Sequence, residues 1–208
     1  MNAMLDLLAG RHAMVAGTGA AVDSVAKALA ALGARVTHIR NPSADAAAIA
    51  AAFVEADARQ GRPVDLLVHA GAPLGNEAAE TVSVEGWRHG FSADIDGRFL
   101  HAAEFARRRI AAHERGAILF LMPSPQICSG RAAQLSAHGA LDNLVKSLAV
   151  EWGRDGIRTN AIASAVVDDF AAASSAAQAS LGNLAGYILS DHGAYITGMV
   201  MGIDELPV

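Results

Sequence analysis

Apolar and polar positions along the chain change period again and again. The run at 64–70 is apolar nearly throughout, as a parallel strand covered on both faces should be, and those at 11–16, 117–122 and 157–163 read as strands beside it. A shorter run at 35–39 makes a further strand. Between these runs the spacing becomes helical. Val22, Val25, Ala26, Leu29 and Ala30 share one helix face that Gly33 terminates. Asn41, Pro42 and Ser43 make a turn with Ser43 as cap, and 44–60 then runs as a helix to Gly61. Ser83 caps a helix over 84–112 that carries Trp87, Phe91, Ile95 and Phe99, and 133–153 forms another long helix. Strands alternating with helices of this length predict an α/β protein built on a parallel sheet.

Composition narrows the picture. At 208 residues with 52% apolar content and few aromatics, the chain suits one domain, 1–208, of helices packed closely on a sheet. A net charge of −5 argues against a nucleic-acid or anionic-membrane partner. No apolar run approaches a membrane span and no basic, apolar leader opens the chain, so a cytoplasmic location is expected. The single cysteine, Cys128, excludes an intrachain disulfide and reads as a small hydrophobe. The eight histidines have no acidic or cysteine companions at ligand spacing, so no metal site is expected.

The candidate chemistry begins at Gly17-Thr18-Gly19. Strand, glycine turn and helix open a dinucleotide-binding unit, in which glycines let the backbone approach a pyrophosphate at a helix N-terminus. The second half is more specific. SAHGALDNLVKSLAVEWGRDGIRTNAIA at 136–163 resembles the short-chain dehydrogenase/reductase family, whose pattern runs Y-x-x-x-K-G-A, an amphipathic helix, then G-I-R-V-N-A-I. The resemblance covers nearly the whole chain. It implies a Rossmann-like doubly wound sheet with helices on both faces. Six strands are expected, because the stretch between 39 and 64 lacks the family's third strand and its adenine-contacting aspartate. Residues 171–180, rich in alanine and serine, stand where the family has a helical substrate lid, here shortened.

The family's chemical residues fare differently. By this resemblance the catalytic asparagine falls on Asp94, the serine on Pro123 or Ser124, the tyrosine on Gln134 and the lysine on His138. Glutamine does not titrate and cannot replace the tyrosine as acid or base. His138 titrates near neutrality but sits at the ribose position. In the glycine turn, Ala21 and Asp23 stand at the second and third family glycines. Asp23 reads either as a helix cap, the preferred reading, or as a carboxylate set against cofactor phosphates. Arg40 reads as a solvated strand-end charge or as a contact for a 2′-phosphate. Val68-His69-Ala70-Gly71 resembles the family's N-N-A-G, with His69 a structural substitute for asparagine. The run Arg107-Arg108-Arg109 reads as a solvated helix end. Ser164, Ala165 and Asp169 replace a P-G and threonine that hold the nicotinamide, and Glu205-Leu206 replace closing glycines.

Two functions follow from this contrast. In the first, a catalytically degenerate family member binds no cofactor and serves as a structural or regulatory subunit, in a homo-oligomer or with an active paralogue, through helices 84–112 and 133–153. In the second, an unusual NAD(P)-dependent oxidoreductase acts on a carbonyl or alcohol such as an acyl thioester. Its cofactor would be held by Gly17, Thr18, Gly19, Arg40, Ala70 and Gly71, with Ser124 or His138 in place of the tyrosine. A nucleotide sensor without turnover is a third, weaker reading.

Overall fold

The computed structural model describes residues 6–72, 75, 77–125 and 132–203. Six parallel strands form one sheet in the order β2-β1-β3-β4-β5-β6, with β1 His12–Ala16, β2 Arg35–Ile39, β3 Leu66–His69, β4 Gly116–Met122, β5 Ile157–Ala163 and β6 Val200–Gly202. β2 is an edge strand, as the missing third strand requires. Every residue of β1, β3 and β4 is buried, which accounts for their largely apolar sequences, with His12 and His69 the buried polar exceptions.

Two apolar layers cover the sheet. One packs α1 (Ala20–Ala31) and α7 (Ser175–Leu189) against it through Val25, Leu29, Leu181 and Ile188. The other packs α2 (Ala46–Gln60), α4 (Gly97–Ala111) and α5 (Ala132–Gly153) through Phe53, Phe105, Val145 and Trp152. α1 therefore crosses on one face and α2 on the other. The chain changes its direction of advance between β1 and β3, which makes a crevice at their C-terminal ends.

Several local readings need correction. Asp45, not Ser43, caps α2: its carboxylate accepts from the Ala48 amide at 2.8 Å, while the Ser43 hydroxyl accepts from the Asp45 amide. Asp23 does not cap α1, because the cap position is Gly19 and Asp23 lies one turn inside the helix. Of the arginine run, only Arg107 is a solvated pair, with Glu104. Arg108 is bound to Asp57 across to α2, and the buried Arg109 donates to the Arg115 carbonyl at 2.9 Å. Ser83 does cap α3 (Val84–Phe91), accepting from Gly86 at 2.9 Å.

The predicted helix over 84–112 is continuous but not uniform. Ser92–Asp96 forms a π-helical turn between α3 and α4. Such a turn admits one extra residue and re-aims the side chains on it. Here it carries Asp94. Past β5, a short helix α6 (Ala165–Asp168) follows Ser164, and the 171–180 stretch divides: Ser174 caps α7, so 175–180 are its opening turns. Cys128, Glu205 and Leu206 lie outside the described residues.

Candidate functional site

The crevice at the switch point is a cleft of about 510 Å³, within the size range of small-molecule sites. Thr18 to Val22 form one wall, Ala70 to Ala72 and Pro123 lie at the strand ends, Gln134, Ala137 and His138 come from α5, and Val167 and Phe170 close the far side. Asp94 and Arg98 also line it.

The glycine turn is built for close approach. Gly17 has φ 137°, and a Cβ on it would stand 2.9 Å from the Ala70 Cβ, so the β1 and β3 exits can meet only with glycine there. Gly19 has φ 104° and open space where a Cβ would go. No side chain caps α1, so the amides of Ala20, Ala21 and Val22 are left without intrahelical partners and edge the cleft.

The floor is ionic. Arg98 is 2% exposed and Asp94 6%. Arg98 Nε donates to Asp94 Oδ1 at 2.8 Å, Nη1 donates to the His69 and Leu121 carbonyls at 2.9 Å each, and Nη2 donates to the Ala70 carbonyl at 2.5 Å. The guanidinium thus satisfies carbonyls at the ends of both β3 and β4, while Asp94 balances its charge. Gly71, at φ 71°, passes directly over this pair. The signal for Arg98 was present in the sequence, because Asp94 and Arg98 stand four apart on a helix face. Its burial was not.

His69 is held as a neutral ring. Its Nδ1 accepts from the Gly71 amide at 2.8 Å, and the ring meets His101 edge to face at 4.6 Å between centroids. Burial, then the neighbouring His101 and Arg98, push its pKa well below the ordinary histidine value. His101 is also lowered, by burial, against a hydrogen bond to the Gly97 carbonyl that raises it. His138 is lowered by burial despite Asp142, and its Nε2 is buried without a hydrogen-bond partner.

The structure brings Asp94, Gln134 and His138 to one cleft, together with Thr18, Gly19, Ala70 and Gly71. It leaves others out. Ser124 is buried and does not line the cleft, though Pro123 does. Arg40 also lies outside it, bonded through Nη1 to Asp23 Oδ1 at 2.6 Å, with His38 3.5 Å from the same carboxylate. A dinucleotide finds a phosphate cradle at Gly17 to Val22. Beyond it, Arg40 is tied to Asp23, β2 has no strand on its outer edge, and neither tyrosine nor lysine lines the cleft among the described residues. Among the described residues, those lining the cleft do not fit the whole group.

A doubly wound α/β sheet with a cleft at its switch point defines the class. Comparison defines the family. Residues 3–205 match the family model described as enoyl-(acyl carrier protein) reductase. A galactitol 2-dehydrogenase (L-tagatose-forming) of Cereibacter sphaeroides is 34% identical over 157 residues, 71% of this chain and 58% of that protein's length. An L-xylulose reductase of Bos taurus is 31% identical, covering 77% of this chain and 73% of that one. An inactive 2-(S)-hydroxypropyl-CoM dehydrogenase 2 of Xanthobacter autotrophicus is 31% identical, covering 68% and 61%. In fold, a gluconate 5-dehydrogenase from Burkholderia cenocepacia J2315, solved with NADP and tartrate, superposes with a TM-score of 0.79 at 24% identity, over 98% of this chain and 97% of that one. The chain belongs to the short-chain dehydrogenase/reductase family. The expectation that it takes no cofactor finds no support in these relatives.

Proposed function

We propose that this chain is a family member that does not transfer hydride by the tyrosine–lysine route and acts as a non-catalytic structural or regulatory subunit. One observation carries the reading. The chain's tyrosines, Tyr187 and Tyr195, are exposed on α7 and beyond it, and its lysines, Lys27 and Lys146, are exposed on α1 and α5. None lines the cleft. Without a tyrosine there is no phenol to exchange the substrate proton, and Gln134 has no titratable group to replace it.

The Asp94–Arg98 pair supports the same reading, because it commits the position expected for the catalytic asparagine to bracing the sheet. Exposed Val84, Phe99, Leu135 and Val150 on α3, α4 and α5 supply apolar surface for assembly with a second copy or an active paralogue. An inactive relative provides a precedent for loss of activity within the family.

The reading is tested by titrating the protein with NADH and NADPH while assaying carbonyl reduction and measuring mass by light scattering. An oligomer with no turnover is expected, with weak dinucleotide binding or none. Turnover would overturn it.

A second reading has one specific observation behind it. His138 is a neutral imidazole in the same cleft as Asp94, and could accept a proton in an NAD(P)-dependent oxidation. Carbonyl turnover abolished by His138→Ala would establish it.

A further inference from the structure

His69 is a buried titratable group that neither functional reading uses. It ends β3 with 1% of its surface exposed, and its ring is committed to one protonation form. A backbone amide only donates, so the Gly71 amide 2.8 Å from Nδ1 requires a lone pair on that nitrogen. The proton of the neutral ring therefore sits on Nε2, which is buried and has no hydrogen-bond partner. The neighbour the ring does meet is His101, 4.6 Å away between centroids and inclined at 66°.

A second proton on this ring cannot be accommodated as the residues stand. On Nδ1 it would face the Gly71 N–H, turning a hydrogen bond into a collision of two donors. Its charge would also be unbalanced. Among the described residues, the groups of α4 that act on His69 are His101 and Arg98, with Asp94 of the π-helical turn behind Arg98. The neighbouring strands set Ala16 of β1 and Phe120 of β4 beside it, and neither carries a charge. Asp94 already balances Arg98, so a charged His69 is a second buried cation without a carboxylate of its own.

How each neighbour is held decides which one yields. Arg98 clamps the His69 and Ala70 carbonyls, and the Ala70 amide donates to the Ala16 carbonyl at 2.9 Å. Among the described residues the Gly71 amide is held by the imidazole alone. Gly71, at φ 71°, also has the backbone freedom to move elsewhere. Gly71 and Ala72 line the cleft. The break therefore falls at Gly71 and shifts one wall of the cleft.

We propose that the His69–Gly71 hydrogen bond is a proton-operated latch on the cleft. With the ring neutral, the Gly71–Ala72 wall is held in place; protonating the ring releases that wall while the sheet stays folded. Burial, then His101 and Arg98, keep the closed ring's pKa well below the ordinary histidine value. The released ring regains that ordinary value, so the open state binds the extra proton and gains population as pH falls. The latch is shut at neutral pH and opens on acidification. It does not require the chain to be non-catalytic.

Amide hydrogen exchange of the full chain, read by NMR between pH 7.5 and 5.5, tests this. After correction for the intrinsic pH dependence of exchange, protection of Gly71 is expected to fall about tenfold per pH unit below about pH 6.5. Leu67 in β3 and Leu119 in β4 should stay more strongly protected than Gly71 at every pH, which marks a local opening. His69→Asn keeps a carboxamide oxygen that can accept from Gly71 and does not titrate, so it should flatten the Gly71 profile. Equal protection at Gly71, Leu67 and Leu119, a Gly71 profile without pH dependence, or one unchanged in His69→Asn would each overturn the latch. Ring nitrogen spectra of the wild-type chain decide the matter if that variant fails to fold. The Nε2–H form is expected at pH 7.5, with proton uptake accompanying the loss of Gly71 protection. An Nδ1–H form, or a protonated ring with Gly71 still protected, would overturn it.

Discussion

Arg98 Nε donates to Asp94 Oδ1 at 2.8 Å across one turn of helix, with both side chains nearly free of solvent. The pair joins the π-helical turn and α4 to the carbonyl ends of β3 and β4, and it forms the floor of the cleft.

Removing one partner leaves the other charge buried and alone. Arg98→Leu is expected to destabilise the fold by about 3–5 kcal/mol, since it strips Asp94 of its counter-ion and three carbonyls of a donor. Asp94→Asn, which can still accept from Arg98, should cost about 1–3 kcal/mol. Urea denaturation of each variant and the double mutant gives the coupling energy, and additivity of the two losses would show that the pair does not act as a unit.

Gly71→Ala tests the same floor from the other strand. Its Cβ would overlap Asp94 Oδ1 and the Arg98 guanidinium, on a backbone with φ 71° that side chains rarely adopt. A loss of roughly 3 kcal/mol or more is expected from strain and collision together. An unchanged denaturation midpoint would contradict the packing described.

The buried histidines set a pH dependence. His69 and His101 have lowered pKa values in the folded state, so between those values and the unfolded value near 6.5 the native chain binds fewer protons. Stability is therefore full above about pH 6.5 and falls as the pH drops below it, by up to about 1.4 kcal/mol per pH unit for each histidine. Protonating His69 also removes the acceptor for the Gly71 amide, beside Arg98 and His101. Urea midpoints at pH 7.5 and 5.5 measure the slope, which His69→Asn should reduce.

Asp23 and Arg40 form a partly exposed pair, so Asp23→Ala should change stability by no more than about 1 kcal/mol. Its effect on anions should be larger in kind. It frees Arg40 and removes a carboxylate from the first turn of α1, and affinity for NADPH is expected to rise by roughly twofold to fivefold. Fluorescence titration of both proteins checks this, and unchanged affinity would mean that the pair does not oppose the cofactor.

Much of this was legible in the residues. Five of the strands and the Ser83 cap follow from periodicity and local turn chemistry, which neighbouring residues decide among themselves, while the missing third strand and the last strand followed from the family resemblance. The replacements at Gln134 and His138 are matters of identity, and identity is what a sequence states most directly. Local signals were misread where two candidates stood close together, as with Ser43 and Asp45 at the start of α2. Asp23 looked like a cap because carboxylates favour helix starts, but the turn at Gly19 sets the boundary one turn earlier and leaves Asp23 to Arg40.

What only the tertiary structure decided is where the charges lie. Arg98 and Arg109 are arginines on a helix, and periodicity cannot tell that one sinks beneath Gly71 and the other bonds the Arg115 carbonyl. The sequence determines the order of elements and the chemistry each position can offer, because those depend on side-chain type and on neighbours within a few residues. Burial, pairing and the shape of the cleft depend on residues some 20 to 30 positions apart meeting in space, as Arg98 meets the carbonyls of His69, Ala70 and Leu121, and only the closed sheet brings them together.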